Sequence, residues 1–272
     1  MKQYISLKKF SQNFLVDYNV IQKIIRFINP KLNQKLVEIG PGLAALTQPI
    51  CNIIDKLIVI EIDKNLLIRL KKYSFYSKLI VFCEDALKFN YFKLLSQKNE
   101  LIRIFGNLPY NISTPLILSL FKKNKIIKDM NFMLQKEVAE RLIAAPGNKS
   151  YCRLSIIAQY YCSIKKILYV PSKCFKPRPK VDSVFVNLIP YTKYSPYFTF
   201  DINVLSDITN IAFRKRRKML RNSLGKIFSE KILIELGIDL KLRPENISIS
   251  KYCKLSNYIV KNNINLKHIL FK

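Results

Sequence analysis

The stretch Val37-Glu38-Ile39-Gly40-Pro41-Gly42-Leu43-Ala44-Ala45-Leu46-Thr47 places two glycines directly after an apolar run. At the carboxyl edge of a parallel sheet such a turn receives nucleotide-like ligands, because missing side chains let a ligand approach the backbone. Gly-x-Gly alone fits an ordinary structural turn; its acidic surroundings argue for a ligand. Glu61 stands 21 residues after Gly40 and ends the next apolar run, where a carboxylate accepts two hydrogen bonds from a ribose diol. Asp85, in Cys83-Glu84-Asp85-Ala86, follows the third run and is placed to meet an adenine amino group. The dinucleotide pattern G-x-G-x-x-G is not met, since Leu43, Ala44 and Ala45 follow Gly42. A Glu before the glycines suits a ligand with a positive centre and no pyrophosphate. S-adenosylmethionine combines those features: adenine, ribose diol, sulfonium and amino acid.

A second constellation follows the fourth run, in Gly106-Asn107-Leu108-Pro109-Tyr110-Asn111-Ile112-Ser113. Methylating the exocyclic amine of a base is difficult because its lone pair is delocalised into the ring. A side-chain amide oxygen and a main-chain carbonyl that both accept from the amine hold the nitrogen in line and favour a more tetrahedral geometry. Asn107 and the carbonyl of Leu108 are those acceptors, Pro109 fixes the turn, and Tyr110 offers a ring to stack on the base. No general base is needed before transfer. Phe175, in Lys173-Cys174-Phe175-Lys176-Pro177-Arg178-Pro179-Lys180-Val181-Asp182-Ser183, fits the other face of a flipped base and fits ordinary loop packing equally well.

Basic charge is concentrated in Ala212-Phe213-Arg214-Lys215-Arg216-Arg217-Lys218-Met219-Leu220-Arg221. On one continuous helix Arg214, Arg217, Lys218 and Arg221 share a face opposite Ile208, Ala212 and Met219, which makes a phosphate track. A solvated helix face is the ordinary alternative. Five consecutive cations in an otherwise evenly charged chain favour a polyanion.

These motifs need elements to position them. Between residues 35 and 135, strands over 35–39, 57–61, 79–83, 101–105 and 131–135 alternate with helical patterns, which predicts a doubly wound, mostly parallel, Rossmann-like α/β sheet. Asp17 caps an amphipathic helix stopped by Pro30, Asp63 starts another over 64–71, and Ser113 or Thr114 caps a third with Pro115 at its first position. A helix over 153–161 precedes two runs, 163–170 and 183–188, that pair as an antiparallel ribbon at the sheet edge. Residues 190–200 read as a linker. The expected division is a catalytic domain over 1–190 and a small all-α, RNA-binding domain over 195–272.

Composition narrows the chemistry further. The chain has 272 residues, a net charge of +29, 49% hydrophobic residues and one His, so it has a folded core, and histidine-based triads or metal sites are disfavoured. Residues 1–190 carry 31 basic against 12 acidic side chains and residues 191–272 carry 16 against 6. That near-uniform density suits a nucleic-acid partner without locating it. Six scattered Cys without a CxxC pair read as reduced, core-filling side chains. No apolar leader or bilayer-spanning stretch is seen, and a cytoplasmic protein is expected, with no metal.

Together the motifs resemble the ribosomal RNA adenine N6,N6-dimethyltransferases of the small subunit. The resemblance runs from Lys9-Phe10-Ser11-Gln12-Asn13-Phe14-Leu15 through the glycine turn, Glu61, Asp85, Asn-Leu-Pro-Tyr, Tyr151-Cys152-Arg153-Leu154-Ser155 and the 175–183 block to Arg216-Arg217-Lys218. It implies a class I methyltransferase whose cofactor pocket holds S-adenosylmethionine with Asn13, Leu15, Gly40, Gly42, Glu61, Asp85 and Asn107. Tyr110 and Phe175 would sandwich the base. It also implies a monomer acting on two adjacent adenines, in a hairpin loop near the 3′ end of small-subunit ribosomal RNA, within an assembling particle. Ser11 and Cys152 stand where the family has Gly, and Ala44 replaces a third glycine of the turn, so weakened cofactor binding is the most that is expected. Rival readings are a large-subunit adenine methyltransferase and a catalytically silent assembly or transcription factor on the same fold.

Overall fold

The computed structural model describes residues 13–97, 100–191 and 195–266. Ser11, the start of the N-terminal motif and the single His268 lie outside them. Two compact units emerge, one of residues 1–139 and 163–192, the other of 140–162 and 193–272. The helix over 153–161 thus belongs with the C-terminal part, and the division differs from a single cut near Pro190.

The first unit is built on a seven-stranded sheet. Its strands are β2 (Lys35–Ile39), β3 (Leu57–Ile60), β4 (Leu79–Phe82), β5 (Ile102–Asn107), β6 (Ile127–Gln135), β7 (Cys162–Val170) and β9 (Ser183–Pro190), in the order β4-β3-β2-β5-β6-β9-β7. Neighbours from β4 through β6 are parallel and β9 is antiparallel to β6. The largely apolar runs at β2 and β3 are buried almost throughout, as a sheet covered on both faces requires. A separate two-stranded ribbon joins β1 (Phe14–Leu15) to β8 (Phe175–Lys176), with Leu15 opposite Phe175.

Helix starts follow the side-chain chemistry. Asp17 caps α1 (Tyr18–Ile28) by accepting from the Val20 amide at 3.0 Å, and Asp63 caps α3 (Lys64–Leu70) through the Asn65 amide at 2.9 Å. Between them lies the short α2 (Thr47–Cys51). Helix α4 (Tyr110–Phe121) corrects the sequence reading: it begins just after Pro109, and Pro115 lies inside it. Pro109 has the extended conformation that opens a helix. The bond lost at Pro115 would have used the carbonyl of Asn111, an exposed residue that water can serve.

The second unit contains α6 (Arg153–Tyr161), α7 (Ile202–Arg214), α8 (Leu220–Leu224), α9 (Glu230–Glu235) and α10 (Ile249–Lys261), while α5 (Lys136–Ile143) spans the unit boundary. Its core includes Tyr151 and Tyr252, whose hydroxyls donate to the carbonyls of Ile247 at 3.1 Å and Pro244 at 2.9 Å. The basic run does not form one helix. α7 stops at Arg214, Lys215 leaves helical geometry, and Met219 is extended before α8. Adjacent cations, with Arg214 and Lys218 one turn apart, disfavour helix continuation, and the Leu220 amide is instead taken by the carbonyl of Leu242 at 2.7 Å.

Candidate active site

The carboxyl ends of β2, β3 and β5 and the loop after β4 open into a cavity of about 280 Å³. Asn13, Leu15, Gly40, Gly42, Glu61, Asp85, Asn107, Leu108, Pro109 and Tyr110 all line it. Gly40 and Gly42 have φ of +67° and +57°, the left-handed region that glycine occupies without strain. A Cβ at Gly42 would stand 3.1 Å from the Phe14 ring. Glycine there lets β1 close over the turn.

The acidic residues are arranged by their own backbone. Glu61 is buried and its Oε1 accepts from the Asp63 amide at 2.9 Å. Burial raises its pKa, with the Asp63 amide opposing. Asp85 accepts from the Leu87 amide at 2.9 Å in a local turn, which aims the carboxylate. Glu38, also in the cavity wall, is 2% exposed. Among the described residues neither its Oε2 nor the Thr47 Oγ1 has a hydrogen-bond partner. Burial pushes the Glu38 carboxyl up to about 8, nearby Thr47 acts in the opposite direction, and the charge of Glu61 adds to the rise.

Asn107 occupies the end of β5. Its Nδ2 donates to the Asn13 carbonyl at 2.8 Å. That bond uses the amide nitrogen and leaves Oδ1 as the acceptor of a side chain on the cavity wall. Gly106 makes this placement possible: a Cβ there would come 2.3 Å from the Ile39 carbonyl oxygen, so β5 and β2 approach too closely for any other residue. Tyr110 is half-buried, and its hydroxyl pairs with Ser183 Oγ at 2.9 Å. Burial lifts its phenol above the ordinary value, with Ser183 opposing, so the ring is neutral near pH 7.

Three expectations change. Phe175 is 2% exposed, packs in the main core and is absent from the cavity wall; pairing of β8 with β1 turns its ring inward. Ala44 also packs in that core and does not line the cavity, and its φ is +67°. Its methyl is therefore no intrusion on a ligand, and the departure from glycine bears on backbone strain. Cys152 is the extended residue before α6, with φ −155°, which any side chain adopts; its amide bonds Ser155 Oγ at 3.0 Å.

The basic residues divide by environment. Arg214, Arg217, Lys218 and Arg221 are exposed, whereas Arg216 turns inward to Glu245 at 2.6 Å and to the Lys149 carbonyl. Arg221 lies 3.5 Å from Glu230. The side chains of 213–218 and Asn222 surround a depression of about 520 Å³. Sequence reasoning missed Phe14, Ile62, Leu87 and Ser183. Phe14, between Asn13 and Leu15 in the N-terminal motif, Ile62, beside Glu61, and Ser183, the last residue of the 175–183 block, carried a signal that pointed to them, and Leu87 carried none.

The described residues contain no cluster of His, Cys, Asp and Glu able to hold a metal ion and no helix long and apolar enough to cross a membrane. A family model described as ribosomal RNA adenine dimethylase matches residues 6–261. The ribosomal RNA small subunit methyltransferase A of Buchnera aphidicola subsp. Schizaphis graminum is 70% identical over 264 residues, covering 97% of this chain and 96% of that protein. A dimethyladenosine transferase from Plasmodium falciparum has a similar crystal structure, with TM-score 0.75 and 28% identity over 92% of this chain and 98% of that one. The 23S rRNA methyltransferase ErmE shares the fold, with TM-score 0.68 and 20% identity over 89% of this chain and 98% of that one. The architecture is that of class I methyltransferases, and the chain belongs to the ribosomal RNA adenine dimethylase family as an rRNA adenine methyltransferase.

Proposed function

We propose that the chain dimethylates N6 of two adjacent adenines, in a hairpin loop near the 3′ end of small-subunit ribosomal RNA, within an assembling small subunit. It acts as a cytoplasmic monomer, with the sheet-bearing unit as the catalytic part and the helical unit, which includes residues 140–162, as the RNA-binding part. The observation that carries this reading is the Asn107 amide, fixed by the Asn13 carbonyl beside a cavity that also holds Glu61 and Asp85. The 70% identical relative, named for the small subunit, supports the choice of RNA.

S-adenosylmethionine, when bound, supplies an electrophilic methyl group on a sulfonium. The cavity wall fits it: Glu61 would take the ribose diol, Asp85 the adenine amine, and Glu38, with its unpartnered buried oxygen, suits the cationic amino acid end. Gly40, Gly42, Asn13 and Leu15 would shape the rest. Asn107 Oδ1 and the Leu108 carbonyl would accept the two N–H groups of the target amine and localise its lone pair. After the first transfer one N–H remains, so one acceptor suffices to hold the monomethylated amine for the second. Tyr110, anchored by Ser183, would stack on the base. Arg214, Arg217, Lys218 and Arg221 would contact phosphates.

The test is incubation with labelled S-adenosylmethionine and unmethylated small subunits, followed by mapping of the product. Label at N6 of two adjacent adenines is expected; label confined to large-subunit RNA, or none, would overturn the reading. Asn107→Ala should abolish transfer while particle binding persists.

A further inference from the structure

The irregular segment before α7 reverses the usual order of inside and outside. Phe198 and Phe200 are 64% and 52% exposed, while the polar Thr199 between them is 8% exposed. Thr199 Oγ1 donates to the fully buried Ser256 Oγ at 2.8 Å, and Ser256 also donates to the Asp201 carbonyl at 3.3 Å. Asn257 holds both flanking peptides: its Oδ1 accepts from the Phe200 amide at 2.8 Å and its Nδ2 donates to the Phe198 carbonyl at 3.2 Å. The two rings meet edge to face with centroids 5.0 Å apart. Four side-chain hydrogen bonds thus present two phenyl rings to solvent, an arrangement that folding stability alone disfavours.

The surroundings are cationic. Lys261 Nζ lies 5.6 Å from the Phe200 centroid. Lys254, Asn257 and Lys261 follow one another at helical spacing on α10, which carries no Asp or Glu. Asp201, the nearest carboxylate in sequence, is occupied in capping α7 through the Asn203 amide at 2.7 Å. Residues 195–201 offer aromatic rings and no Leu, Ile, Val or Met. Flat π surfaces rimmed by lysines match the faces and phosphates of an unpaired nucleotide better than the aliphatic surface of a protein partner.

We propose that Phe198 and Phe200 are a stacking platform for an unpaired base of the RNA, with Lys254 and Lys261 on its flanking phosphates. This rests on the reading that the chain acts on RNA, and adds a contact independent of the 214–221 run.

The chain has no Trp, so Phe200→Trp introduces a single indole that can be excited selectively over tyrosine. Its fluorescence should be quenched, and shielded from acrylamide, when protein-free small-subunit RNA saturates the protein. In Phe198→Ser/Phe200→Ser, affinity for that RNA should fall about tenfold or more, with thermal unfolding and the salt dependence of binding unchanged. Lys254→Gln/Lys261→Gln should instead flatten the salt dependence. Unquenched Trp emission at saturation, or unchanged affinity of the double Ser variant, would overturn the proposal. So would a loss of affinity for intact particles with none for protein-free RNA, which would assign the rings to a protein. Methyl transfer by the unaltered enzyme is scored separately. Its absence, alongside weakened RNA binding by the double Ser variant, would refute the proposed function and leave the platform standing.

Discussion

Replacing Glu38 with Gln should change how stability depends on pH. The carboxyl is buried and held near 8 against an ordinary value of 4.5. Between those values the folded chain keeps a proton that the unfolded chain has released, so stability must fall as pH rises, by at most about 1.4 kcal/mol per pH unit, and level off above the folded value. The full span corresponds to about 4–5 kcal/mol as an upper bound, since relaxation around the carboxylate lowers it. Urea unfolding of the ligand-free protein at about pH 5.5 and about pH 7.5 should show a loss of about 2–3 kcal/mol. Glu38→Gln keeps the shape, removes the titration, and should lose much less over the same interval, with Glu61 left to contribute in the same direction. A cationic ligand beside Glu38 favours its ionised form, so binding near neutral pH should release a proton, visible as a buffer-dependent binding enthalpy that Glu38→Gln abolishes. Equal pH dependence of the two proteins, within about 0.5 kcal/mol, would refute the reasoning.

Other perturbations separate stability from function. Gly106→Ala drives a Cβ to 2.3 Å from the Ile39 carbonyl and should cost at least about 3 kcal/mol, read as a lowered Tm. Ala44→Gly relieves a left-handed alanine at φ +67° but deletes a buried methyl and loosens the unfolded chain. These effects nearly cancel, so stability should change by less than about 1 kcal/mol and cofactor affinity by less than about twofold, measured by titration calorimetry. Arg217→Gln and Lys218→Gln should each reduce the slope of log affinity against log salt by about 0.7–0.9 on RNA. Arg216→Gln, which breaks the contact with Glu245, should show its effect in thermal unfolding instead.

The sheet was legible because its central strands are buried on both faces and therefore largely apolar; six of its seven strands were read to within two residues of their observed bounds, and β6, read from 131, starts at Ile127. Glu61, Asp85 and Asn107 were legible for a related reason, since each stands at or just after the carboxyl end of such a run. Phe175 was not, because whether a loop aromatic faces a cavity or a core depends on a strand partner 160 residues away. The 214–221 helix failed because periodicity records which faces would match and says nothing of like charges one turn apart or of the Leu242 carbonyl that takes the Leu220 amide. Glu38 was noticed as a charge, but its missing hydrogen bond is a property of packing alone.

The pairing of Leu15 with Phe175, and the reach of Asn107 to Asn13 across 94 positions, also set an order of events during synthesis. Local strand–helix units can close as they emerge, because their loops are short. The amide of Asn107 acquires its orientation only when Phe14 and Leu15 are clasped by Phe175 and Lys176, a strand made much later. A ribosome-bound nascent chain lacking residues beyond about 170 can thus hold the central parallel strands without a completed catalytic turn. Competence for methyl transfer therefore waits on a strand that lies outside the seven-stranded sheet.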